Sequence, residues 1–479
     1  MTIPSPETRD FASLRINRRV LIVTDDVDGS VGMVEHLRAL MLGVKITTYD
    51  GDALQNLPFE PPSAVLCFLS DYIEKAPEIV AQIRAHYAPR DFPILGRLMR
   101  KTDGDHPFDS VLYAPVHPVQ VAHRMASLIR LGQMEAEIIR RMETMRDSFG
   151  ESVTLSPDIN RAPFQILFIG KADPAYMAVV NALQNKNAEV VAAFTSFSAF
   201  DYLHDRRFDA VVMNARGGNE PAMTISDTMR RNPRLTHVPT LLLIDEERFQ
   251  DEDMAYRHGV NDLIDSDACA LEISGRILEL ANSYRLHEKL KSDFSDFGTP
   301  SCMDQQTAVF NKAFFTAHLK RVSQECREQR LPLSILTIKL KPQAAGSLAA
   351  DVMDIALSKC IRLVAGIVRM QDIVARLDRD MVAVAFPEER RGDVEIIAGR
   401  IRELIANAAF DTPHEASGAL TLRAETDIVE QVLPPQPTSV LADIGSPRQR
   451  RNQRARPRPV PHADQSGLAR RAQHPEPST

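Results

Sequence analysis

The first 300 residues alternate between short apolar runs and amphipathic stretches. The run in RRVLIVTDDVDG (18–29) precedes the helical pattern VGMVEHLRALML, and later apolar runs such as SAVLCFL alternate with helical segments such as EIVAQIRAHY. Short apolar runs bounded by turn residues indicate buried strands, and strands alternating with helices indicate a parallel sheet covered by helices. The pattern therefore predicts an α/β domain over residues 1–150.

A second copy of this pattern begins at FQILFIGKADP (164–174), about 145 residues after the first, and predicts a domain over residues 160–294. We expect both copies to be doubly wound (βα)5 domains. Each copy ends in a long amphipathic stretch, MASLIRLGQMEAEIIRRMETM or LEISGRILELANSYRLHEKL. Such a helix either packs on its own domain or forms a dimer or signal-transmitting helix, and the pattern leaves both interpretations open.

A third unit is predicted over residues 295–432. Its pattern reads as helix, strand (LPLSILTIKL), helix, a β-hairpin (DIVARL and MVAVAF), helix and strand. The predicted hairpin tip is Asp378-Arg379, where a type I′ turn would favour glycine because both central residues need a positive φ. An α+β domain with an unusual hairpin tip is the expectation.

Residues 433–479 have a different composition. Positions 447–479 hold eight arginines, no lysine, two acidic residues and many prolines. Such a segment cannot bury an apolar core, which predicts a disordered Pro/Arg-rich tail. A solvated tail, a segment that contacts nucleic acid or acidic proteins, and the product of a reading-frame shift are alternative interpretations.

Composition indicates a soluble globular protein, with 44% apolar and 25% charged residues. The net charge of −7 gives no overall attraction to nucleic acid or acidic membranes. The five cysteines are scattered without a C-x-x-C pair, which argues for a reducing compartment and against a zinc site. No stretch approaches the ~18 apolar residues of a membrane span. We expect a cytoplasmic protein.

The first unit resembles a response-regulator receiver domain through its VTDD stretch. In that family an acidic pair binds Mg²⁺, an aspartate accepts a phosphoryl group, and a hydroxyl and a lysine complete the site. Asp25 and Asp26 match the acidic pair, but the acceptor, hydroxyl and lysine positions read Phe68, Leu98 and Ala114. Asp71 lies about three residues after the acceptor position, so phosphorylation of Asp71 is an alternative. Asp25 and Asp26 otherwise form a solvated pair at a strand end.

The second unit retains none of the four receiver elements. The corresponding positions read Gly170-Lys171, Asn214, Ile244 and Ser266. An amide does not accept a phosphoryl group as a carboxylate does. The resemblance therefore implies two pseudo-receivers that serve dimerisation and docking, and we expect a homodimer.

The third unit resembles the GGDEF (diguanylate cyclase) domain. Asp304, Thr307 and Asn311 match the opening D-x-x-T-x-x-x-N pattern of that family. RLDRDMVAVAFPE aligns without a gap where the family has R-Y-G-G-E/D-E-F, a strand and a proline. The resemblance implies a nucleotidyl-cyclase-like α+β domain. Two receivers followed by this domain are similar to the PleD/PopA group of alphaproteobacterial cell-cycle regulators over roughly residues 15–430.

Diguanylate cyclases join two GTP molecules, which requires carboxylate-bound Mg²⁺ and a backbone that phosphates can approach. By the resemblance, Asp354 and Asp380 survive from the cyclase site. Asp378 and Arg379 replace the two glycines, and Met381 replaces the acid that follows Asp380 in the motif. Thr337 and Lys339 replace two acids of the strand that contributes to the metal site. Ala345 replaces the asparagine that reads guanine. We expect no enzymatic activity, no catalytic residues, no metal and no required cofactor.

The tetrapeptide RMQD (369–372) precedes the hairpin at the spacing of the R-x-x-D inhibitory site (I-site) of the family. Arg369 can donate hydrogen bonds to guanine O6 and N7 or to a phosphate, and Asp372 can accept from guanine N1–H and N2–H₂. Arg400 matches a further arginine of that site. The resemblance implies binding of cyclic di-GMP by Arg369, Asp372 and Arg400. The alternative is a helix-terminal arginine, a solvated aspartate and an unrelated surface arginine.

The hypothesis from the sequence is a non-catalytic c-di-GMP effector in cell-cycle control, with c-di-GMP as ligand and no required cofactor. Resemblance to the PopA-like branch implies protein partners that act as protease adaptors, and recruitment to a cell pole. The alternatives are a nucleotide-free scaffold, a residual diguanylate cyclase and a phosphorylation-driven regulator. Nucleic acid is not an expected partner.

Overall fold

The computed structural model describes residues 19–40, 43–70, 72–98, 106–155, 162–216, 220–245, 248–250, 252–343, 350–410 and 420–431. Three of the sequence predictions fall outside these residues. They concern Asp71 as an acceptor, Ala345 in the guanine-reading position, and the tail over residues 433–479.

The first domain contains a mostly parallel sheet in the order β3-β2-β1-β4-β5-β6. The apolar runs form its buried strands, because both faces of the sheet are covered. The short strand β3 pairs antiparallel with β2 in the connection from β2 to β4. The elements are β1 (Val20–Thr24), α1 (Val27–Leu40), β2 (Val44–Tyr49), β3 (Leu54–Gln55), β4 (Ala64–Phe68), α2 (Ala76–Tyr87), β5 (Ile94–Leu98), β6 (Ser110–Tyr113) and α3 (Pro118–Thr144).

The second domain contains a parallel sheet in the order β11-β10-β9-β7-β8, which is the 2-1-3-4-5 order of doubly wound receiver-like sheets. The predicted fold class is thereby confirmed for this unit. Its elements are β7 (Phe164–Ile169), α4 (Pro174–Leu183), β8 (Ala188–Ala193), α5 (Ser196–Asp205), β9 (Ala210–Asn214), α6 (Glu220–Arg231), β10 (Thr240–Ile244), α7 (Glu252–Arg257), β11 (Asp262–Asp265) and α8 (Ala270–Ser295).

The third domain is built on a largely antiparallel sheet in the order β12-β14-β15-β13-β17-β16. Apolar residues alternate along β13 and β15 and cover both faces, so helices pack on each side. Its elements are β12 (Phe310–Asn311), α9 (Lys312–Glu328), β13 (Leu333–Pro342), α10 (Ala350–Ile367), β14 (Ile373–Asp378), β15 (Met381–Pro387), α11 (Arg391–Asn407), β16 (Ala409–Phe410) and β17 (Leu420–Gln431).

The hairpin between β14 and β15 differs from the sequence prediction by one residue. Asp378 pairs with Met381, so Arg379 and Asp380 form the two-residue connection, and the predicted tip Asp378-Arg379 is wrong. The strand register shifts between Arg376 and Asp378, which marks a β-bulge. Neither Arg379 nor Asp380 has a positive φ. A type I′ turn needs a positive φ at both central residues, so this connection is of another type.

The long helices α3 and α8 extend beyond their own domains and pack against the third domain. Leu131, Met134 and Ile138 of α3 belong to the same apolar cluster as Leu290 and Phe294 of α8. This cluster also contains buried residues of α9, β13, β14 and β15. The N-terminal half of each helix packs on its own domain, as one of the two interpretations predicted, with Val121 and Met125 of α3 in the first core and Ile273 and Ile277 of α8 in the second. The contact of the C-terminal halves with the third domain was not predicted, and a dimer or signal-transmitting role stays a prediction.

Among the described helices, none is both long enough and apolar enough to cross a bilayer.

Candidate functional site

The RMQD tetrapeptide forms a tight turn between α10 and β14. The backbone N–H of Arg369 donates to Oδ2 of Asp372 at 2.8 Å, and the backbone N–H of Asp372 donates to the carbonyl of Arg369 at 3.0 Å. Asp372 is only 8% exposed. The aspartate thus has a local structural role, since its side chain closes the turn that presents Arg369.

The guanidinium of Arg369 forms an ion pair with Glu389, in the connection between β15 and α11. Its Nη1 atom lies 2.8 Å from Oε1 of Glu389. The Arg369 side chain is 51% exposed, whereas that of Glu389 is 10% exposed. An exposed arginine held at one side by a buried carboxylate keeps further N–H donors toward solvent.

Arg141 of α3 attaches the turn to the first domain. Its Nη2 atom donates to the carbonyl of Met370 at 3.0 Å and to that of Asp372 at 3.4 Å. The same guanidinium lies over the rings of Phe294 and Phe310, at 4.6 and 5.1 Å from their centroids. The long helix of the first domain therefore contacts the backbone of the turn directly.

Glu137 of α3 is the centre of a buried charge cluster beneath this contact. Its carboxylate lies 2.7 Å from Arg141, 3.4 Å from Arg140 and 3.2 Å from His318 of α9. Burial alone would raise the pKa of Glu137, but the neighbouring His318, Arg141 and Arg140 outweigh it and lower this pKa to about 2. The carboxylate is therefore ionised at neutral pH, and its negative charge balances the positive charge of Arg141, which binds the turn.

A second ion pair joins the first domain to the residue before Glu389. Arg90 makes two 2.8 Å hydrogen bonds to the Glu388 carboxylate, and both side chains are nearly buried. Gln133 of α3 also donates to Glu388 at 3.3 Å. Glu389 thus binds Arg369, and the adjacent Glu388 binds the first domain. A cleft between α3 and the third domain is lined by Gln133, Glu137, Arg140, Arg369, Gln371, Asp372, Pro387 and Glu388.

Arg400, the third predicted residue, is exposed on α11, next to the buried Ile401. The structure brings Arg369 and Asp372 together in one turn and connects Arg369 through Glu389 to the loop that precedes α11. A c-di-GMP-binding role for Arg369, Asp372 and Arg400 stays a prediction.

At the hairpin tip, Arg379 and Arg376 each pair with an acidic residue, Asp354 and Asp304 respectively. Arg379 Nε donates to Asp354 Oδ1 at 2.6 Å, and its Nη2 donates to the carbonyl of Ala350 at 2.9 Å. Arg376 contacts Asp304 at 3.3 Å and the carbonyl of Arg379 at 3.0 Å. The carboxylate that would read guanine in the related cyclases is thus paired with a guanidinium of the same chain.

The positions of the metal carboxylates have other roles here. Thr337 donates its hydroxyl to the carbonyl of Asp427 at 3.2 Å, and Lys339 is an exposed residue of β13. The carbonyl of Asp380 accepts from the N–H of Leu340 at 2.8 Å. In the described ranges, no three His, Cys, Asp or Glu side chains are grouped so as to hold a metal ion.

The acidic pair of the first domain lies beside an arginine. Asp25 accepts backbone hydrogen bonds from Ser70 and Tyr72 at 2.8 to 3.0 Å. The Arg97 guanidinium lies 4.1 Å from the centroid of the Phe68 ring. Burial lowers the pKa of Arg97, and the charges of Asp25 and Asp26 act in the opposite direction. A guanidinium therefore lies close to the carboxylates that would bind Mg²⁺ in a receiver.

The corresponding site of the second domain is closed by an amide. Asn214 Nδ2 donates to Asp173 Oδ2 at 2.8 Å, while Asp173 Oδ1 accepts from the backbone N–H groups of Ala175 and Tyr176 at the start of α4. Asp173 serves as a helix N-cap. Asn214 thereby has a structural partner at the position of the receiver aspartate.

Sequence reasoning missed three residues that shape these sites: Glu389, Arg141 and Arg97. Glu389 lies in FPEER and Arg141 in a continuous amphipathic helix, where a charge usually indicates a solvated face. Their partners are 20 and 229 residues away in the chain, so no local pattern identifies them. Arg97 could have been found, because a charged residue inside the apolar strand ILGRL is unusual.

Comparison with known proteins gives a family match for the third domain. Residues 301–440 match the family described as diguanylate cyclase, GGDEF domain. The response regulator PleD of Caulobacter vibrioides is 23% identical over 208 residues, which are 43% of this chain and 46% of that protein. The chain thus matches less than half the length of this relative.

Two solved structures are similar to parts of this chain. The GGDEF domain of DgcB from Caulobacter crescentus, crystallised in complex with c-di-GMP, is 15% identical, covers 30% of this chain and 83% of that chain, and has a TM-score of 0.26. The chemotaxis response regulator CheY4 of Vibrio cholerae is 14% identical, covers 25% of this chain and 99% of that chain, and has a TM-score of 0.23.

Residues 301–440 thus match the GGDEF family, and the sheets of the two preceding domains have a receiver-like strand order. The GGDEF domain is the C-terminal unit, and two receiver-like α/β domains precede it. The predicted fold class and the resemblance to a receiver–GGDEF protein are confirmed, whereas the degeneracy of the GGDEF site stays a prediction.

Proposed function

We propose that this protein is a non-catalytic c-di-GMP effector that binds the dinucleotide at the RMQD turn. The observation that carries the proposal is the contrast between the two ends of β14. At one end Arg369 is half-exposed on a turn that Asp372 closes and Arg141 attaches to α3. At the other end Arg379 is paired with Asp354.

The chemistry of the turn suits a guanine dinucleotide. Arg369 can donate to guanine or phosphate oxygens, and Arg400 adds a second exposed cation. The GGDEF domain of DgcB, which is similar to a part of this chain, was crystallised in complex with c-di-GMP, and c-di-GMP is the ligand class proposed here. The buried Asp372 carboxylate would have to rotate or share its hydrogen bond to read guanine, so Arg369 is the principal contact in this proposal.

The loss of cyclase activity follows from the hairpin. Glycines let phosphates approach a backbone closely, whereas Asp378 and Arg379 add side chains in that space. Asp354 would have to leave Arg379 before it could bind guanine. The protein needs neither a metal nor a cofactor in this account.

Ligand binding would reach the receiver-like domains through α3. Arg141 and Arg90 connect the turn and the Glu388–Glu389 loop to the first domain, so a ligand that displaces Glu389 from Arg369 would change a contact with that domain. We infer recruitment of partner proteins by the receiver-like domains, from a homodimer in the cytoplasm. SiaD, a similar cyclase from Pseudomonas aeruginosa, was crystallised with its activator SiaC, which supports protein partners for this class. Cell-cycle regulation, protease adaptors and a polar location are part of the same proposal.

Equilibrium dialysis and a turnover assay test the proposal together. The protein is dialysed against c-di-GMP, and separately incubated with GTP and Mg²⁺ while c-di-GMP formation is followed by chromatography. We expect retention of c-di-GMP and no product from GTP. Product formation would favour the residual cyclase, and no retention would favour a nucleotide-free scaffold.

A further inference from the structure

A cavity of about 340 Å³ lies between the two receiver-like domains, at the N-terminal end of α3. The first domain contributes the loop of Pro115 to Pro118, and the second contributes α7, the end of β11 and the start of α8. This volume is that of a small-ligand or side-chain site. The cavity lies apart from the RMQD turn and involves none of its residues.

The charge of the cavity wall is strongly negative. Glu252, Asp265, Asp267 and Glu272 line it, and Arg276 is the cation among the lining residues. Arg276 is already bound to Glu272 at 2.9 Å and to Asp262 at 3.1 Å. Across the described ranges, the remaining three lining carboxylates form no ion pair. The wall therefore attracts a cation.

A second observation is independent of this acidity. Tyr256 of α7 lines the cavity and is only 3% exposed, and its hydroxyl forms no hydrogen bond with the residues that the structure describes. Burial raises the pKa of this hydroxyl well above its usual value, and nearby Asp262 and Glu252 raise it further. His117 stacks on the Tyr256 ring at 4.8 Å and holds it in place. A hydroxyl on a nearly buried side chain that lines a cavity, and that has no hydrogen bond to the described residues, is available to a ligand group that enters the cavity.

A metal ion does not fit this wall. In the described part of the chain, no cluster of three potential metal ligands occurs, and the cavity is far larger than a hydrated ion needs. A guanidinium fits better, because its five planar N–H donors can reach two carboxylates and the Tyr256 hydroxyl together. The arginine methylenes would lie against Pro115, Val116 and Leu263.

The chain itself carries a segment of this chemistry. Residues 447–479 hold eight arginines and two acidic residues, which gives +6, so the rest of the chain carries −13 of the total of −7. The segment has arginine without lysine, as bidentate recognition of carboxylates favours. Attraction between the two parts of the chain follows from these charges.

Residues 432–446, which connect Gln431 to the arginine-rich segment, are long enough to reach the cavity. Gln431 is bound to Ser323 of α9, and α9 packs on the C-terminal part of α3 through His318 and Thr144. The cavity lies at the other end of α3, which is 27 residues long and hence about 40 Å. Residues 432–446 can extend to about 50 Å.

We propose that the cavity between the receiver-like domains binds arginine side chains of residues 447–479 of the same chain. The acidic wall and the unpartnered Tyr256 hydroxyl would recognise the guanidinium groups. The segment would then cover the junction of the two receiver-like domains and compete there with any basic protein partner.

Peptide binding to full-length variants tests the proposal. A fluorescent peptide with the sequence of residues 447–471 is titrated at 0.15 M salt, where exposed charges are screened beyond ~8 Å. The recipient is the full-length chain with all eight arginines of the segment replaced by glutamine. We expect binding to this chain at least tenfold tighter than to the wild type, in which the native segment competes. Equal affinity for the two chains would overturn the proposal.

The wall is tested by Glu252→Gln with Asp267→Asn in the same glutamine-substituted chain. We expect at least a tenfold loss of peptide affinity. The matched control is Asp201→Asn with Asp205→Asn, two exposed acids of α5 in the same domain, which should leave affinity unchanged. Equal losses in both double variants would overturn the proposal. So would displacement of the peptide by equimolar spermine, or equal affinity for a peptide with lysine at every arginine position.

Discussion

Glu389 holds the guanidinium of Arg369 where an anionic ligand would bind in the proposed function. The pair measures 2.8 Å, and the glutamate is far more buried than the arginine. The carboxylate is therefore an internal competitor for the ligand's phosphate or guanine oxygens. A half-exposed ion pair contributes about 0.2–1 kcal/mol, which a dinucleotide can replace.

At the residue scale, the Glu389→Gln substitution should strengthen c-di-GMP binding. Removing a competing charge worth up to about 1 kcal/mol corresponds to a gain in affinity of up to about fivefold. Isothermal titration calorimetry measures the change. Glu395→Gln is the matched control, because Glu395 pairs with Arg391 on the exposed surface of α11, the helix that follows Glu389. Unchanged or weaker binding in Glu389→Gln would contradict the competitor role.

The candidate residues of the turn could be predicted from the sequence, but their partners could not. RMQD lies at a fixed spacing from the hairpin in one continuous segment, so its position follows from the order of residues. Glu389 and Arg141 meet Arg369 and Met370 only after the sheet forms and α3 packs on it. The burial of Asp372 also depends on that packing, and the sequence prediction treated this carboxylate as available to guanine.

At the element scale, α3 is the physical connection between the first domain and the turn. Arg141→Lys keeps the charge but loses the planar guanidinium that reaches two carbonyls and lies over two aromatic rings. A hydrogen bond from a charged donor contributes about 1.5–3 kcal/mol, so amides of the turn should exchange about tenfold faster or more. Hydrogen–deuterium exchange of peptides over residues 366–374 checks this.

The control for this experiment is Arg146→Lys. Arg146 is exposed and pairs with Asp147 just beyond α3, away from the RMQD turn. It should leave exchange over residues 366–374 unchanged. Equal exchange in Arg141→Lys and the wild type would mean that α3 does not hold the turn.

The buried cluster of Glu137 predicts a defined pH dependence of stability. The pKa of Glu137 in the folded protein is about 2, below the ordinary value of 4.5. The contribution of this carboxylate to the free energy of unfolding is therefore complete above pH 4.5 and is lost as the pH falls toward 2. Glu137→Gln leaves buried cations without their counter-charge and should cost about 3–5 kcal/mol at pH 7. Thermal unfolding followed by circular dichroism at pH 7, 5 and 3 measures this cost.

Glu143→Gln is the control for this prediction, because Glu143 pairs with Arg321 at the exposed surface of the same helix. We expect Glu137→Gln to lower the midpoint temperature of thermal unfolding strongly at pH 7, and to differ less from the wild type at pH 3. A pH-independent difference, or one no larger than that of Glu143→Gln, would contradict the assignment.

The strands and helices follow closely from apolar periodicity, whereas their contacts across domains do not. The runs VLIVT and FQILFI become β1 and β7, and the long amphipathic stretches become α3 and α8. Periodicity indicates which face of a helix is apolar but not which domain covers it, so the packing of α3 and α8 on the third domain was not foreseen. The bulge near Leu377 displaced the hairpin tip for a similar reason, since strand register is set by pairing rather than by one strand alone.

At the scale of the whole molecule, the two receiver-like domains and the GGDEF domain share one apolar cluster through α3 and α8. Arg90 and Arg141 add polar contacts from the first domain to the loop and the turn beside Arg369. A ligand at the turn would therefore act on a contact between domains rather than on an isolated surface. In the proposed function this contact transmits the signal, and the hairpin performs no chemistry.

Calorimetric titration of the full-length protein with c-di-GMP tests this account most directly. We predict saturable binding to the wild type and a loss of about tenfold to a hundredfold in Arg369→Ala, because a bidentate arginine–guanine contact is worth about 1–3 kcal/mol. Arg402→Ala, on the same helix as Arg400 and bonded to Thr426, should bind like the wild type. No heat with the wild type, or equal affinity in Arg369→Ala, would contradict the account.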